Sequence, residues 1–398
     1  MEHRVRMGRR DFLKTTATGL GGFAYLNATL TRPPDAPEKF EATRVLGRTG
    51  IRVPIVSMGV MNTDNPQLVR AALDAGYVFF DTAQGYQRGT NETMLGEIFK
   101  GRPRNSFLLA TKGSMPKDQQ TGGYGPDVTE EAYTKKIDTS LKSLQLDYVD
   151  IYHHHGTWTK EATLYEPIVS ALQKAKQAGK IRWIGVSTHR NEPEVIDAAI
   201  DSKIYDIVLP AYNFRQQHVA EVQKAIARAA AAGLGIIGMK SMGGNRGGAY
   251  ASSQIDAKAA IKWVLQDQNV ATVICGFTTF DQMTLDLAVL KDLTITAAER
   301  EQLRKASLQA GLYCQGCAVC VGQCLSRLPV PDLMRAHMYL YGYRNLVAAQ
   351  DLVLSLAIPR EVCDGCGACA VACTNQWNVR ERIRDIVRLR DVPTSFVG

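Results

Sequence analysis

A chain of 398 residues with 45% hydrophobic and 22% charged residues has the composition of a globular protein, which excludes a disordered or fibrous one. That length exceeds one ordinary core, so two domains are expected. The net charge of +8 gathers at the two ends, in Arg4, Arg6, Arg9 and Arg10 and again in Arg380, Arg382, Arg384, Arg388 and Arg390. No basic run is interleaved with aromatics, which argues against nucleic-acid binding, and the late arginines read as a solvated helix face.

The chain starts with a basic segment, "GRRDFLK" (Gly8–Lys14), followed by the weakly apolar "TTATGLGGFAYLNATL". This resembles a twin-arginine signal, with Gly8 in place of the usual Ser or Thr. The apolar part is too short and too rich in Thr and Gly for a stable membrane span. The resemblance implies export in folded form, to a periplasmic or cell-surface location, with cofactors inserted beforehand. Residues 1–40 are therefore read as signal and linker, closing on the Pro-rich "TRPPDAPEKF".

From about residue 41 to 300 the chain alternates apolar β-type runs with amphipathic helical stretches. The strand candidates are "IVSMGV", "YVFFDT", "FLLATK", "YVDIYHH", "IRWIGVS", "DIVLP", "GIIGMK" and "ATVICG". Between them lie helical segments such as "PQLVRAALDAG", "PIVSALQKAKQAG" and "VAEVQKAIARAAAAG", closed by Gly76, Gly179 and Gly233 where a left-handed cap is needed. Eight such units in about 250 residues match an α/β fold of the (β/α)8 TIM-barrel type, preceded by a hairpin-like "RVLGRTGIRVP". A doubly wound sheet would carry a Gly-rich phosphate loop after its first strand, and "SMGVMNTDN" is not one.

In such a barrel the C-terminal strand ends carry the chemistry. Read in order, they offer Asp81, Tyr86 in the loop beyond it, Lys112 and His155. A free tyrosine is a poor acid at neutral pH, with a pKa of about 10. A nearby Lys⁺ favours the phenolate and is expected to lower that value, an Asp holds the Lys, and a His orients the substrate oxygen. The segments "FFDTAQGYQRGTNETMLGEIFKGR", "LLATK", "LQLDYVDIYHHH" and "AGKIRWIGVSTH" resemble the aldo-keto reductase family across essentially the whole barrel. That resemblance implies Asp81, Tyr86, Lys112 and His155 as a catalytic tetrad with Tyr86 as general acid. It also implies reversible hydride transfer between a nicotinamide and a small carbonyl or alcohol substrate.

The same resemblance implies cofactor contacts from Ser187, Thr188, Gly243, Gly244, Gly276, Thr278, Thr279 and Gln282. Departures from the family pattern fall here. Thr188, Leu209 and Met239 stand where the family commonly has Asn, Gln and a stacking aromatic, and "CGFTTFDQM" offers no Arg or Lys for an adenosine phosphate. NADP(H) and NAD(H) both remain open.

Of nine cysteines, Cys275 stands alone. The other eight form two C-x2-C-x2-C-x3-C runs, Cys314, Cys317, Cys320 and Cys324, then Cys363, Cys366, Cys369 and Cys373. Disulfides staple separate elements, and zinc takes Cys pairs from well-separated turns, so four thiols in one short segment point to [4Fe–4S] clusters. The helical "LPVPDLMRAHMYLYGYRNLVAAQDLVLSLA" joins the runs, and residues 301–398 resemble the α-helical ferredoxin domain carried by some aldo-keto reductases. By that resemblance Cys314, Cys317 and Cys320 share one cluster with Cys373, and Cys363, Cys366 and Cys369 share the other with Cys324. His337 reads as structural.

A nicotinamide gives up two electrons together, while a cluster takes one at a time, so the chain is expected either to carry a nicotinamide in with it or to dock a redox partner protein that regenerates the cofactor. An electron-transfer subunit with the barrel as docking scaffold is the alternative, and purely structural clusters are a third reading. In "YHHHG" strand alternation separates His154 from His153 and His155, so the three do not close on one metal ion.

Overall fold

The computed structural model describes residues 42–244, 255–308, 313–356, 358–359 and 361–397. All belong to one of the two units into which the chain divides, Pro34–Gly398. The export signal expected over residues 1–40 lies outside the described residues, as does the stretch 245–254.

Strands β1 (Thr43–Val45) and β2 (Arg52–Pro54) form the expected antiparallel hairpin. Then come β3 (Val56–Gly59), β4 (Phe79–Asp81), β5 (Leu108–Gly113), β6 (Val149–His154), β7 (Ile181–Thr188), β8 (Ile207–Pro210), β9 (Gly235–Gly238) and β10 (Thr272–Cys275). They pair in parallel and close a barrel in the order β10-β3-β4-β5-β6-β7-β8-β9. Each apolar run named above supplies one barrel strand.

The period of two sorts these strands into two cores. Phe79, Ala110, Ile151, Ile207, Leu209 and Ile237 fill the barrel interior. Their neighbours Phe80, Leu109, Tyr152, Val208 and Ile236 face the surrounding helices. The hairpin stoppers one end: Leu46, Ile51 and Val53 join the interior cluster, and a Cβ at Gly235 would come within 2.7 Å of Leu46 Cγ. Helices such as Pro66–Asp74 start where their sequence says, with the Asn65 side chain accepting from the Gln67 N–H at 2.9 Å and Pro66 in the first turn. Gly76, Gly179 and Gly233 follow three of these helices with φ of 101°, 73° and 83°, the left-handed conformation expected of them.

The domain boundary expected at 300/301 falls inside the helix Ala297–Leu308. Leu303 packs with Phe214, Met242, Ala259 and Ala260, and Glu299 pairs with Lys262 at 3.0 Å, so this helix covers the barrel. A separate apolar core begins at Tyr313. It is built from helix Val330–His337, a single π-turn Met338–Gly342, helix Leu346–Ser355 and helix Val379–Ile386. The joining segment breaks near Tyr343–Asn345, where the Asn345 side chain caps the next helix by accepting from the Ala348 N–H at 2.9 Å. Both cysteine runs are turns and irregular backbone.

The late arginines do not form a purely solvated face. Arg380 donates to the Cys363 carbonyl at 3.0 Å and to the Gly367 carbonyl at 3.3 Å, and Arg384 pairs with Asp364 at 3.4 Å. Helical spacing aims them at the second cysteine run, whose turns leave carbonyls unpaired. Among the described residues no helix is long and apolar enough to cross a membrane.

Candidate active site and cysteine centres

Parallel pairing of β4 with β5 and of β5 with β6 brings the polar strand ends to one rim. Asp81 and Lys112 share the interior parity of Phe79 and Ala110, so both side chains turn inward. Lys112 Nζ bonds Asp81 Oδ1 directly, with both side chains 2% exposed. The same ammonium donates to the Thr82 carbonyl at 2.6 Å and to the Tyr86 hydroxyl at 3.4 Å. His155 follows β6 immediately and stands edge-on to Tyr86, with ring centroids 6.0 Å apart. The four residues expected at this rim are therefore neighbours.

Burial pushes Asp81 up and Lys112 down, and each is countered by the charge of the other. Desolvation holds His155 well below the usual imidazole range, so its ring is neutral. For Tyr86 the direction is the reverse of the one expected from Lys112 alone. Desolvation first, and the Asp81 charge second, raise the phenol above its ordinary value. Asp81 offsets the Lys112 charge, and the enclosure of the rim weakens phenolate solvation. Tyr86 is thus a firmly protonated donor.

The Tyr86 loop is held from outside the barrel. Gln87 and Arg88 adopt positive φ of 51° and 53°, which non-glycine residues seldom do without support. Gln87 donates to the Met61 carbonyl at 3.1 Å. Arg88 donates to Gln350 Oε1 at 2.8 Å and to Asp351 Oδ1 at 3.0 Å, both on helix Leu346–Ser355, and to the Thr394 carbonyl at 3.3 Å.

His153, His154 and His337 are packed within the protein. His154 bonds the hydroxyl of Tyr124 at 2.6 Å and that of Tyr205 at 3.1 Å. His153 lies inside the barrel against Gly185, where a Cβ would come 2.2 Å from its Nδ1, so only glycine admits the ring. In the C-terminal region His337 packs its ring on Tyr341, with centroids 4.6 Å apart.

Beside the tetrad an open cavity is lined by Asn62, Asp81, Tyr86, Met239, Gly276 and Tyr343 among others. Asp81 Oδ2 is buried there without a hydrogen-bond partner, a vacant acceptor suited to a ligand hydroxyl. Space and donor demand fit a cofactor or substrate at this place. The expected cofactor residues divide around it. Gly276 lines the cavity. Ser187 accepts from the Gly156 N–H at 3.0 Å, and Thr188 donates to the Arg190 carbonyl at 2.6 Å, so the Thr188 proton is used within the protein. Leu209 belongs to the interior core. Gly243 and Gly244 both border a neighbouring cavity, and a Cβ at Gly244 would stand 2.6 Å from Met338 Sδ. Thr279 caps helix Phe280–Ala288 by accepting from the Gln282 N–H at 3.3 Å, and the Thr278 N–H donates to Gln282 Oε1 at 2.9 Å.

The rim has members that strand-end reading does not find. Lys240 follows β9 and lies under the rings of Tyr339 and Tyr343, 5.1 and 4.8 Å from their centroids. Both tyrosines come from the C-terminal region, about a hundred residues beyond. Only the Lys240 charge at the end of "GIIGMK" was visible as a signal.

The cysteines gather across their two runs. Cys314, Cys317, Cys320 and Cys373 line one small cavity with Val330, Met334 and Trp377. Burial, reinforced by neighbouring thiols, pushes Cys314 up to about 11 and Cys320 up to about 12. Cys363, raised first by burial, feels Cys324, Cys366 and Cys369. Among the described residues no three His, Cys, Asp or Glu side chains converge as a single metal ion requires. A four-iron core interposes several atoms between its thiolates, so a wider set suits it, and all-sulfur donors around one space fit that group.

Fold and rim together define a (β/α)8 protein with a Tyr–Lys–Asp–His set at the strand ends. The Aldo/keto reductase family pattern matches residues 57–255, half of the chain, and the chain belongs to that family. It is 39% identical over 160 residues to L-galactose dehydrogenase of Arabidopsis thaliana, a match covering 36% of this chain and 47% of that relative. The chain thus spans about half the length of that relative. It is 24% identical over 317 residues to L-glyceraldehyde 3-phosphate reductase of Escherichia coli K12, covering 65% of this chain and 90% of that protein. Among solved structures, the holo form of an aldo-keto reductase from Bacillus halodurans superposes with a TM-score of 0.55 at 25% identity, over 66% of this chain and 95% of that one. The family match stops short of the cysteine-bearing region.

Proposed function

We propose that the protein is an aldo-keto reductase-type oxidoreductase that interconverts a small carbonyl and its alcohol, and that it carries two [4Fe–4S] clusters. The observation that carries the enzymatic part is Lys112 Nζ reaching Asp81, the Thr82 carbonyl and the Tyr86 hydroxyl at once. When bound, NADP(H) or NAD(H) supplies or accepts the hydride, and Asp81, Met239 and Gly276 line the cavity that would hold it. In the reductive direction Tyr86 donates its hydroxyl proton to the substrate oxygen. Lys112 stabilises the phenolate left behind, because its ammonium already points at that oxygen. Asp81 and the Thr82 carbonyl fix the ammonium, and the neutral His155 ring orients the substrate oxygen from the other side.

Cys314, Cys317, Cys320 and Cys373 would hold one cluster, and Cys324, Cys363, Cys366 and Cys369 the other. Such clusters supply one-electron transfer when bound. Export in folded form and a redox partner protein complete the proposal, on the strength of the Gly8–Lys14 segment and the two cysteine runs. Tyr86→Phe should lower carbonyl turnover by about 10²- to 10⁴-fold and leave the iron content unchanged. A cluster-loaded protein that binds neither NADPH nor NADH would sink the enzymatic half.

One observation favours the electron-transfer reading. The Thr188 hydroxyl proton is used internally and Leu209 is part of the interior core, which leaves the nicotinamide amide few partners. Clusters that take up electrons from a partner protein, in a chain inert toward every carbonyl offered with NADPH or NADH, would select it.

A further inference from the structure

Two cavities meet at the barrel rim. The first contains Tyr86. The second lies between the ends of β7 to β9 and helix Val330–His337. His189 and Lys240 line both, and the second adds Arg190 and Arg335. Three basic side chains and one imidazole, which burial first and the nearby cations second hold well below its usual range, thus face one space.

Their counter-charge is short. Arg190 is 3% exposed, yet its Nε, Nη1 and Nη2 find no hydrogen-bond partner. Its guanidinium rests 3.9 Å from the Trp158 ring centroid, and Asp332 Oδ2 stands 3.5 Å away. The other oxygen of Asp332 is taken by Arg335, so one carboxylate answers two guanidiniums. Lys240 has only the faces of Tyr339 and Tyr343 and no carboxylate among the described residues. His189 Nδ1 is likewise buried without a partner. Burial first, then the charges of Arg335 and Lys112, bring Lys240 down to about 7, the mark of a cation lacking its anion. Buried guanidinium donors left open are costly, and an oxyanion is the group that satisfies them best.

We propose that this pocket binds the carboxylate or phosphate of an anionic hydroxy- or oxo-substrate, held by Arg190 and Lys240 with Arg335 contributed by the C-terminal region. An anion there leaves the rest of a short substrate facing Tyr86 past the shared His189 and Lys240. That the ligand is a substrate rests on the carbonyl–alcohol reading of the Tyr86 site; the anion pocket itself does not. The competing account is that Arg190 and Arg335 only balance the charge of a cluster at Cys314, which also lines this cavity.

The test is calorimetric titration of full-length, cluster-loaded protein with inorganic phosphate, with glyoxylate, and with neutral glycolaldehyde as control. At least one anion should bind near one per chain, and the control should not compete with it. Whichever anion binds names the group. Arg190→Gln and Lys240→Met should each weaken that binding about tenfold or more. Arg190→Lys, which keeps the charge, should recover part of the affinity and guards against a misfolded Gln variant. The proposal is overturned by a wild type that binds neither anion, or by both variants binding as wild type does. It also falls if Arg190→Gln moves the cluster midpoint potential with anion affinity unchanged, the signature of charge balance alone. A protein that binds the anion yet reduces no carbonyl would remove the Tyr86 reading and leave the pocket standing.

Discussion

At the barrel rim the buried polar side chains largely answer one another: Lys112 meets Asp81 and the Thr82 carbonyl, His154 meets Tyr124 and Tyr205, and Thr111 meets Glu92. In the C-terminal region eight thiols crowd into turns, with other thiols among their neighbours. The first arrangement is met within the polypeptide apart from Asp81 Oδ2, His189 Nδ1 and the Arg190 guanidinium. The second is the arrangement that the proposed clusters would use. A barrel with two apolar cores holds itself together. The cysteine turns have no ladder of backbone bonds to do so, and on the cluster proposal their order would depend on what the sulfurs bind.

The sharpest way to break this contrast is to remove sulfurs one at a time. Cys314→Ser and Cys373→Ala should abolish the same cluster and halve the iron content, although they lie in different runs. Cys324→Ala should abolish the other cluster. Iron analysis with EPR of the reduced protein reads this directly, and loss following the runs instead of the crossed sets would refute the pairing. The barrel helices should keep their far-ultraviolet signal in all three.

Next in size is the barrel's own pair. Lys112→Met leaves Asp81 buried without its counter-charge and should destabilise the barrel by about 3–5 kcal/mol, read from urea unfolding. A companion Asp81→Leu change should recover much of that loss without restoring turnover. Equal stability for Lys112→Met and wild type would mean that Asp81 is buried protonated.

Between the regions stands Arg88. Arg88→Ala frees the Tyr86 loop from Gln350, Asp351 and Thr394. Turnover should fall about tenfold, with unchanged iron content and little change in substrate KM. A drop in iron content with turnover per cluster intact would place Arg88 in the support of the C-terminal region instead.

The smallest effect is a pH dependence confined to the barrel. His218 Nε2 bonds Glu192 Oε2 at 2.8 Å, and that bond raises the imidazole above its usual value. A raised folded-state pKa means the stabilisation is full below about pH 6.5 and is lost as pH rises through the raised value. Its size should stay under about 1 kcal/mol. His218→Gln should flatten the Tm profile in that window; a slope that persists would assign it elsewhere.

The barrel was legible because its signals are local. Eight apolar runs became eight strands, and strand parity alone sets Asp81, Lys112 and His155 on the inner side. What escaped the sequence depends on contacts across long separations. Arg88 meets residues more than 260 positions away, and Tyr339 and Tyr343 cover Lys240 from about a hundred positions on. The Tyr86 phenol went the other way from expectation for the same reason: enclosure of the rim, which no local pattern reports, outweighs the nearby ammonium. Arg380 departs from a solvated helix face because its partners, the carbonyls of Cys363 and Gly367, belong to turns without a periodic signature, whereas Arg384 and Arg388 are exposed as expected.

The central claim is that the C-terminal thiols hold two four-iron clusters beside an aldo-keto reductase rim. The most direct test is iron and acid-labile sulfide analysis, with EPR of the dithionite-reduced state, on full-length protein reconstituted without oxygen. The account predicts about eight irons and eight sulfides per chain and two interacting reduced clusters. A chain that unfolds cooperatively as a whole and takes up zinc, or no metal at all, would contradict it.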